Sequence, residues 1–221
     1  MIFFIFALGI SGWSLAAFAL AYILAIALSM SLHEFSHAIV AYKMGDPTPK
    51  AQKRLSLNPL NHIDTWGIIS FLLIGFGWAK PVQVNPLNFR NYNRGRRLVA
   101  LSGVTTNLIL GIIFSAFYYF FGDGLIASSN IFFCFVGYFL MMGMTINISL
   151  AVFNLMPIYP LDGYNFLESF LKPFSKFVQF MRKYGSLILL IFIMTPVFDI
   201  LYAYVVTGIE NGLSLFWGYF K

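Results

Sequence analysis

Two histidines and a glutamate inside an apolar run have the residue types and spacing needed for metal chemistry. His33, Glu34 and His37 form the pattern H-E-x-x-H. In a helix, residues four apart lie on one face, so both imidazoles could bind one zinc ion while Glu34 acts as a base toward a water that the metal activates. Ionisable side chains within an apolar helix are costly unless they share a partner, and a cation would provide one. The pattern therefore predicts a hydrolytic metal site.

A catalytic zinc site usually has three protein ligands, so a third is expected elsewhere in the chain. Asp162 is the candidate, because NLMPIYPLDGYN surrounds its carboxylate with the helix-breaking residues Pro157 and Pro160. At membrane depth, such a break is tolerated only where the backbone lines a watered cavity inside the protein. An ordinary solvated turn is the alternative for Asp162. His62, the third histidine, is a rival ligand, but its loop setting favours a packing role.

The composition indicates a membrane protein. Of the 221 residues, 59% are hydrophobic and only 10% are charged, whereas soluble domains have about 25% charged residues. This excludes an ordinary soluble domain, a disordered chain and a coiled coil. The single cysteine, Cys134, excludes an internal disulfide. The length leaves room for about six spans at most, and for no second soluble domain beside them.

Four apolar runs reach the length of about 20 residues that a helix needs to cross a bilayer. They cover residues 14–42, 98–121, 131–153 and 185–206. Residues 2–10 and 213–220 are too short to span alone, and 66–78 is interpreted as an interfacial or re-entrant segment. The predicted fold is an all-α polytopic membrane protein, a single domain over residues 1–221 with four to six transmembrane helices.

The basic residues predict how the spans are oriented. All but one of the 14 lysines and arginines lie between the first two runs or between the last two. By the positive-inside rule, both of these loops are cytoplasmic and both termini lie outside. A nucleic-acid-binding patch at residues 90–97 is disfavoured because this basic stretch abuts a span, so no nucleic-acid partner is expected. His33 precedes Lys43 by ten residues, or about 15 Å of helix, which places the metal inside the membrane near its cytoplasmic face.

H-E-x-x-H in an early span, followed far downstream by N-x-x-P-x-x-P-L-D-G, resembles the site-2 protease family of intramembrane zinc metalloproteases. The runs GDPTPKAQKRLSLNPLNHID, GFGWAKPVQVNP and LVALSGVTTNL resemble its small bacterial branch without a PDZ module, so the resemblance covers most of the chain. It implies that one Zn²⁺ per chain is bound by His33, His37 and Asp162, and that Glu34 is the general base.

The resemblance also implies that Asn107 lies close to the substrate, and Asn154 is the second predicted substrate-binding residue. Interhelical hydrogen bonding is the alternative for Asn107, and Asn154 could instead orient the loop that carries Asp162. The chain departs from the family pattern at three positions that are neither predicted ligands nor the predicted base. These are Pro49, Thr65 and Val104, and they put only local loop shape in doubt.

Residues 43–97 are basic, half apolar and punctuated by proline, asparagine and glycine. The resemblance implies that this cytoplasmic-side loop forms a small membrane-associated sheet and a re-entrant segment beside the active site. An extended strand there could pair with the substrate by its edge.

The predicted function is hydrolysis of peptide bonds within or near transmembrane helices of membrane proteins, as in regulated intramembrane proteolysis. The predicted location is a bacterial plasma membrane, in contact with the lipid bilayer, and the oligomeric state is left open. The main alternative is an intramembrane metal transporter or metal-binding protein, which would not need a base such as Glu34. A non-cleaving relative and an aspartyl protease using Asp162 and Asp199 are weaker alternatives, because the motifs are intact and no motif supports Asp199.

Overall fold

A computed structural model describes residues 12–62, 64–74 and 80–220, and the regular structure within these ranges is helical, without strands. The expected all-α polytopic fold is confirmed. The segment 2–10 lies outside the described residues. In chain order the helices are α1 (Trp13–Met44), α2 (Thr48–Ala51), α3 (Thr65–Ile74), α4 (Tyr92–Phe117), α5 (Asp123–Ile126), α6 (Ile131–Asn154), α7 (Asp162–Glu168), α8 (Lys176–Ile193) and α9 (Pro196–Gly218). A π-helical turn at Tyr118–Gly122 joins α4 to α5.

Three continuous helical segments are long and apolar enough to cross a membrane: α1, α4 with its extension to Ile126, and α6. They confirm the first three predicted spans. The fourth predicted span, residues 185–206, is not one helix. Helix α8 ends at Ile193, Thr195 caps α9 from Pro196 onward, and the two helices are bent by 81°. Proline favours the first turn of a helix and disrupts its interior, so Pro196 starts a new helix, and only the bent pair together could form a fourth span.

Helices α1, α4 and α6 pack on one another through small residues. Ala17, Ala21 and Ala25 of α1 are buried in a cluster with large apolar side chains of α6. A Cβ at Gly111 of α4 would lie 2.9 Å from Ile148, and one at Gly143 of α6 would lie 2.5 Å from Phe114. Small residues let membrane helices approach closely, so these positions set the separation of the three helices.

The outer faces of the long helices are apolar and exposed, as expected for surfaces that contact lipid. Residues on these faces include Leu20, Leu24, Ile109, Ile113, Phe132, Phe133, Leu190 and Ile191. The described polar side chains that are buried lie mostly between α1, α4 and α6 or in the loop that follows α1. Apolar side chains lie outside and polar ones inside, the reverse of a soluble protein, which supports a membrane location.

The loop after α1 is held by one buried carboxylate. Asp46 accepts hydrogen bonds from the backbone and hydroxyl of Thr48, from the Asn85 backbone at 2.7 Å and from the Asn88 side chain at 2.8 Å. Burial alone would raise the pKa of Asp46, but these hydrogen bonds outweigh it and hold the pKa below its usual value. Asp46 therefore stays ionised and ties residues 80–88 to the end of α1.

The small sheet expected within residues 43–97 is absent from the described part of that segment. Its described residues form the end of α1, α2, α3, two 3₁₀ turns, the start of α4 and irregular connections, one of them over residues 80–85. The segment 66–78, predicted to be interfacial or re-entrant, falls on the ten-residue α3 and on residues 75–78, which lie outside the described part of the chain. Backbone N–H groups of the stretch bond to groups outside any sheet: Lys80 to the His62 carbonyl and Asn85 to Asp46.

Candidate metal centre

The three predicted ligands come from α1 and from the first residue of α7. His33 and His37 lie one turn apart on α1, both buried against α4. Asp162 begins α7, after a loop that turns the chain back over the end of α6. Gly163 makes this return possible, because a Cβ there would lie 2.1 Å from the carbonyl oxygen of Leu155. The glycine of the L-D-G motif thus brings the carboxylate to the histidines.

The ligand atoms of these residues are spaced as one metal ion requires. Nε2 of His33 lies 3.1 Å from Nε2 of His37, and Oδ2 of Asp162 lies 3.3 and 3.1 Å from the two nitrogens. Ligands at about 2.0–2.1 Å from a tetrahedral zinc are separated by about 3.3–3.4 Å. Three atoms in a triangle of this size leave a fourth tetrahedral position for a reactant.

The protonation pattern of the histidines also fits a metal. Nδ1 of His33 lies 2.6 Å from Oδ1 of Asn107, and Nδ1 of His37 lies 2.8 Å from the carbonyl oxygen of Val99. Both partners accept, so each Nδ1 carries the proton and each Nε2 presents a lone pair. Oδ2 of Asp162 is buried and has no hydrogen-bond donor among the described residues. Three lone pairs converging without a proton between them need a cation, and two imidazoles with a carboxylate suit Zn²⁺.

Helix α4 approaches this centre through a glycine. A Cβ on Gly103 would lie 2.4 Å from Cε1 of His33 and 2.6 Å from Nε2 of His37. Any larger residue there would displace both imidazoles. Gly103 therefore serves the metal centre, whereas Gly111 of the same helix serves helix packing.

A chain of amide hydrogen bonds orients Asn107. Its Nδ2 donates to Oδ1 of Asn147 at 2.8 Å, and Asn147 donates in turn to the carbonyl oxygen of Gly143 and to Oγ of Ser29. Because a carbonyl can only accept, the direction of the whole chain is set, and Oδ1 of Asn107 must face His33. The link to Gly143 thereby fixes the tautomer of a predicted metal ligand.

The position of Asn107 corresponds to the interhelical alternative. The residue is fully buried between helices and is absent from the residues that line the cavity beside the metal centre. Its side chain bonds to His33 and to Asn147, as the alternative of interhelical hydrogen bonding expects, because an amide in the interior of a helix bundle must satisfy its polar atoms there. A contact with substrate stays a prediction. Asn154, in contrast, lines the cavity and donates to the carbonyl of Leu150.

A cavity of about 600 Å³ opens beside the three ligands. Glu34 lines it, together with the irregular stretch that includes Val82 and Val84. Oε2 of Glu34 accepts a hydrogen bond from the backbone N–H of Val82 at 2.9 Å. No described residue donates to Oε1, so one oxygen of Glu34 holds the carboxylate in place and the other can accept a proton. The contact with Val82 has no signal in the sequence.

The two rival site residues lie outside the centre. His62 is fully buried in its loop, with Nε2 donating to the carbonyl oxygen of Ser56 at 2.7 Å. Its position agrees with a packing role. Asp199 is exposed in the first turn of α9, so it does not face Asp162 as a second catalytic aspartate.

Replacing Asn107 with alanine should weaken zinc binding by about 10–100-fold, the usual cost of losing a hydrogen bond to a metal-binding histidine. His33 would lose the acceptor that keeps its proton on Nδ1. The measurement is competition for zinc between the purified protein and a chelator of known affinity. Asn93→Ala, an exposed position on the same helix, should bind zinc like the wild type. An unchanged affinity in Asn107→Ala would contradict the role assigned to the amide chain.

Comparison with known proteins places these residues in a wider context. The model of Peptidase family M50 matches residues 21–196, a stretch that contains both histidines, Glu34 and Asp162. The chain is 35% identical over 205 residues to "Putative zinc metalloprotease YwhC" of Bacillus subtilis, covering 90% of this chain and 92% of that protein.

Two mycobacterial proteins are also similar. "Putative zinc metalloprotease Rip2" of Mycolicibacterium smegmatis is 29% identical over 178 residues, covering 76% of this chain and 64% of that protein. Its namesake in Mycobacterium tuberculosis H37Rv is 28% identical over 192 residues, covering 81% and 70%. No solved structure gives a significant match.

Proposed function

Because the chain belongs to peptidase family M50, the site-2 proteases, and is a zinc-dependent protease, we propose that it cuts its substrates inside the membrane. The observation that carries the proposal is the position of the centre. His33, Glu34 and His37 lie within α1, whose basic residue Lys43 follows His33 by about 15 Å of helix. The reaction takes place below the membrane surface, among helices whose outer faces contact lipid.

The bound zinc supplies a Lewis acid that activates water and polarises the scissile carbonyl. His33, His37 and Asp162 would hold it. Through Oε1, Glu34 accepts a proton from the attacking water, and it later passes this proton to the leaving nitrogen. The backbone N–H of Val82 keeps the carboxylate directed into the cavity. The Asn107 amide keeps His33 in the tautomer that binds the metal. Each of these groups is already in place before a substrate arrives.

The substrate we propose is the transmembrane segment of another membrane protein. A helix hides its carbonyl groups in internal hydrogen bonds, so the segment must unwind locally before it is attacked. Segments weakened by glycine, proline or asparagine are therefore preferred. The irregular stretch over residues 80–85 borders the cavity and gives an unwound segment a surface to lie along, in place of the sheet edge expected from the sequence.

Orientation follows from charge. Most lysines and arginines lie in the loop after α1, in the first turns of α4 and in α8. The cavity is lined by the last turns of α1, by the first turns of α4 and by Asn154 at the end of α6, so it opens at the same ends of these helices as the basic loop. The proposal puts this side in the cytoplasm. Water and the cytoplasmic part of the substrate reach the centre from there.

Proteoliposomes test the proposal against a metal transporter that uses the same ligands. The purified protein is reconstituted with a single-span substrate, and a zinc-sensitive dye is enclosed in the vesicles. We expect cleavage that stops with a chelator and returns with zinc, and no zinc uptake above that of empty vesicles. Zinc uptake without cleavage of any spanning substrate would favour the transporter.

A further inference from the structure

Three charged residues from three helices meet in the wall of the cavity. Glu168 ends α7, and its Oε1 lies 2.5 Å from Arg182 of α8 while its Oε2 lies 3.4 Å from Arg96 of α4. The Glu168 side chain is only 8% exposed, whereas that of Arg182 is 56% exposed. All three residues line the cavity that also contains His33 and Asp162. The cluster and the metal centre therefore share one open space.

The cluster has more positive charge than its own carboxylate can neutralise. Apart from the metal ligands and Glu34, it contains all of the charged residues in the described cavity wall, which leaves a net charge of +1. Both oxygens of Glu168 are already engaged by the arginines. Each guanidinium has five N–H donors and contacts Glu168 through only one nitrogen, Nη2. Donors suited to a second carboxylate thus remain at Arg96 and Arg182.

The spacing along two helices gives the distance between the charged cluster and the metal centre. Glu168 is six residues beyond Asp162 on α7, a rise of about 9 Å, and Arg96 is seven residues before Gly103 on α4, a rise of about 10 Å. An extended peptide advances about 3.3 Å per residue, so either path corresponds to about three residues. A peptide cut at the metal would place a nearby residue against the arginines.

We propose that Arg96 and Arg182 form a subsite that binds a carboxylate of the substrate, about two to four residues from the scissile bond. The carboxylate belongs to an acidic side chain or to a free carboxyl terminus. Arginine pairs with carboxylates through parallel hydrogen bonds, and the partly enclosed wall strengthens them. Glu168 holds the two guanidinium groups in place without occupying all of their donors. The inference rests on the proposed proteolytic function, because it needs a peptide in the cavity.

The test uses zinc-loaded full-length protein in a neutral detergent. A set of spanning peptides carries Asp, Asn or Lys at each position two to four residues from the scissile bond, on either side. We expect one position at which Asp raises kcat/KM about tenfold over Asn, the effect of one charged hydrogen-bonded contact, and at which Lys lowers it. Peptides that end at this position as a free acid or as an amide show whether a terminus is also bound.

Matched variants assign the effect to the cluster. Arg182→Gln and Arg96→Gln should bring the Asp-to-Asn ratio close to one. Lys183→Gln and Arg94→Gln remove a charge from the same helices outside the cavity and should keep the tenfold ratio. Arg182 is half exposed, so its variant is the less disruptive one, and cleavage of the Asn peptide shows that each variant is folded.

Two results would overturn the subsite: no preference for Asp at any position, or a preference that both arginine variants retain. If the arginines instead bind an anionic lipid headgroup, cleavage of the Asn peptide will change with added anionic lipid in the wild type but not in Arg182→Gln. Asp will then not be preferred at any position. That outcome also overturns the proposal. If the wild type cuts none of the Asp, Asn or Lys peptides, the proteolytic function itself fails.

Discussion

Replacing Glu34 with glutamine is expected to lower kcat by about 10³-fold while one zinc stays bound per chain, since general acid–base catalysis contributes 10²–10⁴-fold. Glutamine cannot take the proton of the attacking water. Its amide oxygen can still accept the hydrogen bond from Val82, so the irregular stretch should keep its place and the ligands their geometry. The change removes the base and little else.

The measurement combines zinc content by elemental analysis with single-turnover cleavage of a spanning peptide. Glu210→Gln is the matched control. Glu210 lies on α9, away from the cavity, and accepts a hydrogen bond from the Thr145 hydroxyl of α6 at 2.7 Å. Glutamine can accept the same bond. It should cleave like the wild type. Wild-type rates in Glu34→Gln would end the assignment of Glu34 as base, and loss of zinc would mean that Glu34 helps to hold the metal.

Replacing Asp162 with alanine is expected to remove the metal and, with it, all cleavage. The substitution takes away the negative charge of the three-ligand set and leaves two neutral imidazoles. Loss of a residue that only orients a ligand costs about 10–100-fold in metal affinity, so loss of the carboxylate itself should cost more than 100-fold. Asp162→Ala should therefore bind zinc more weakly than Asn107→Ala.

Chelator competition ranks the two variants on one scale, and size-exclusion chromatography shows that both are folded. Asp199→Asn, an exposed aspartate on α9, should keep wild-type affinity and activity. If Asp162→Ala retains one tightly bound zinc, Asp162 is not the third ligand.

The spans and the metal centre were accessible from the sequence because both depend on local pattern. The first three spans follow from runs of apolar residues, and the two histidines from the four-residue repeat of a helix. The prolines around Asp162 single it out as the candidate third ligand. Pro196 marks the break in the fourth predicted span. The helices on both sides of it are apolar, so hydropathy alone indicates one continuous run.

What the sequence could not give are contacts between distant segments. The sequence offers Asn107 as a substrate contact or as a partner in hydrogen bonds between helices, but only the folded bundle shows that Asn107 and Asn147 together orient His33. The bond from Val82 to Glu34 joins residues 48 positions apart without any pattern that relates them. The pairing of Glu168 with Arg96 and Arg182 likewise depends on how α4, α7 and α8 meet.

If this zinc protease cuts within the membrane, the masses of its products will show where the cut falls. A single-span substrate is reconstituted with the wild-type protein in liposomes, and both fragments are weighed by mass spectrometry. We expect one main cut inside the apolar segment, in its cytoplasmic half, and we expect this cut to disappear in Glu34→Gln. Cuts confined to the soluble flanks of the substrate would contradict this expectation.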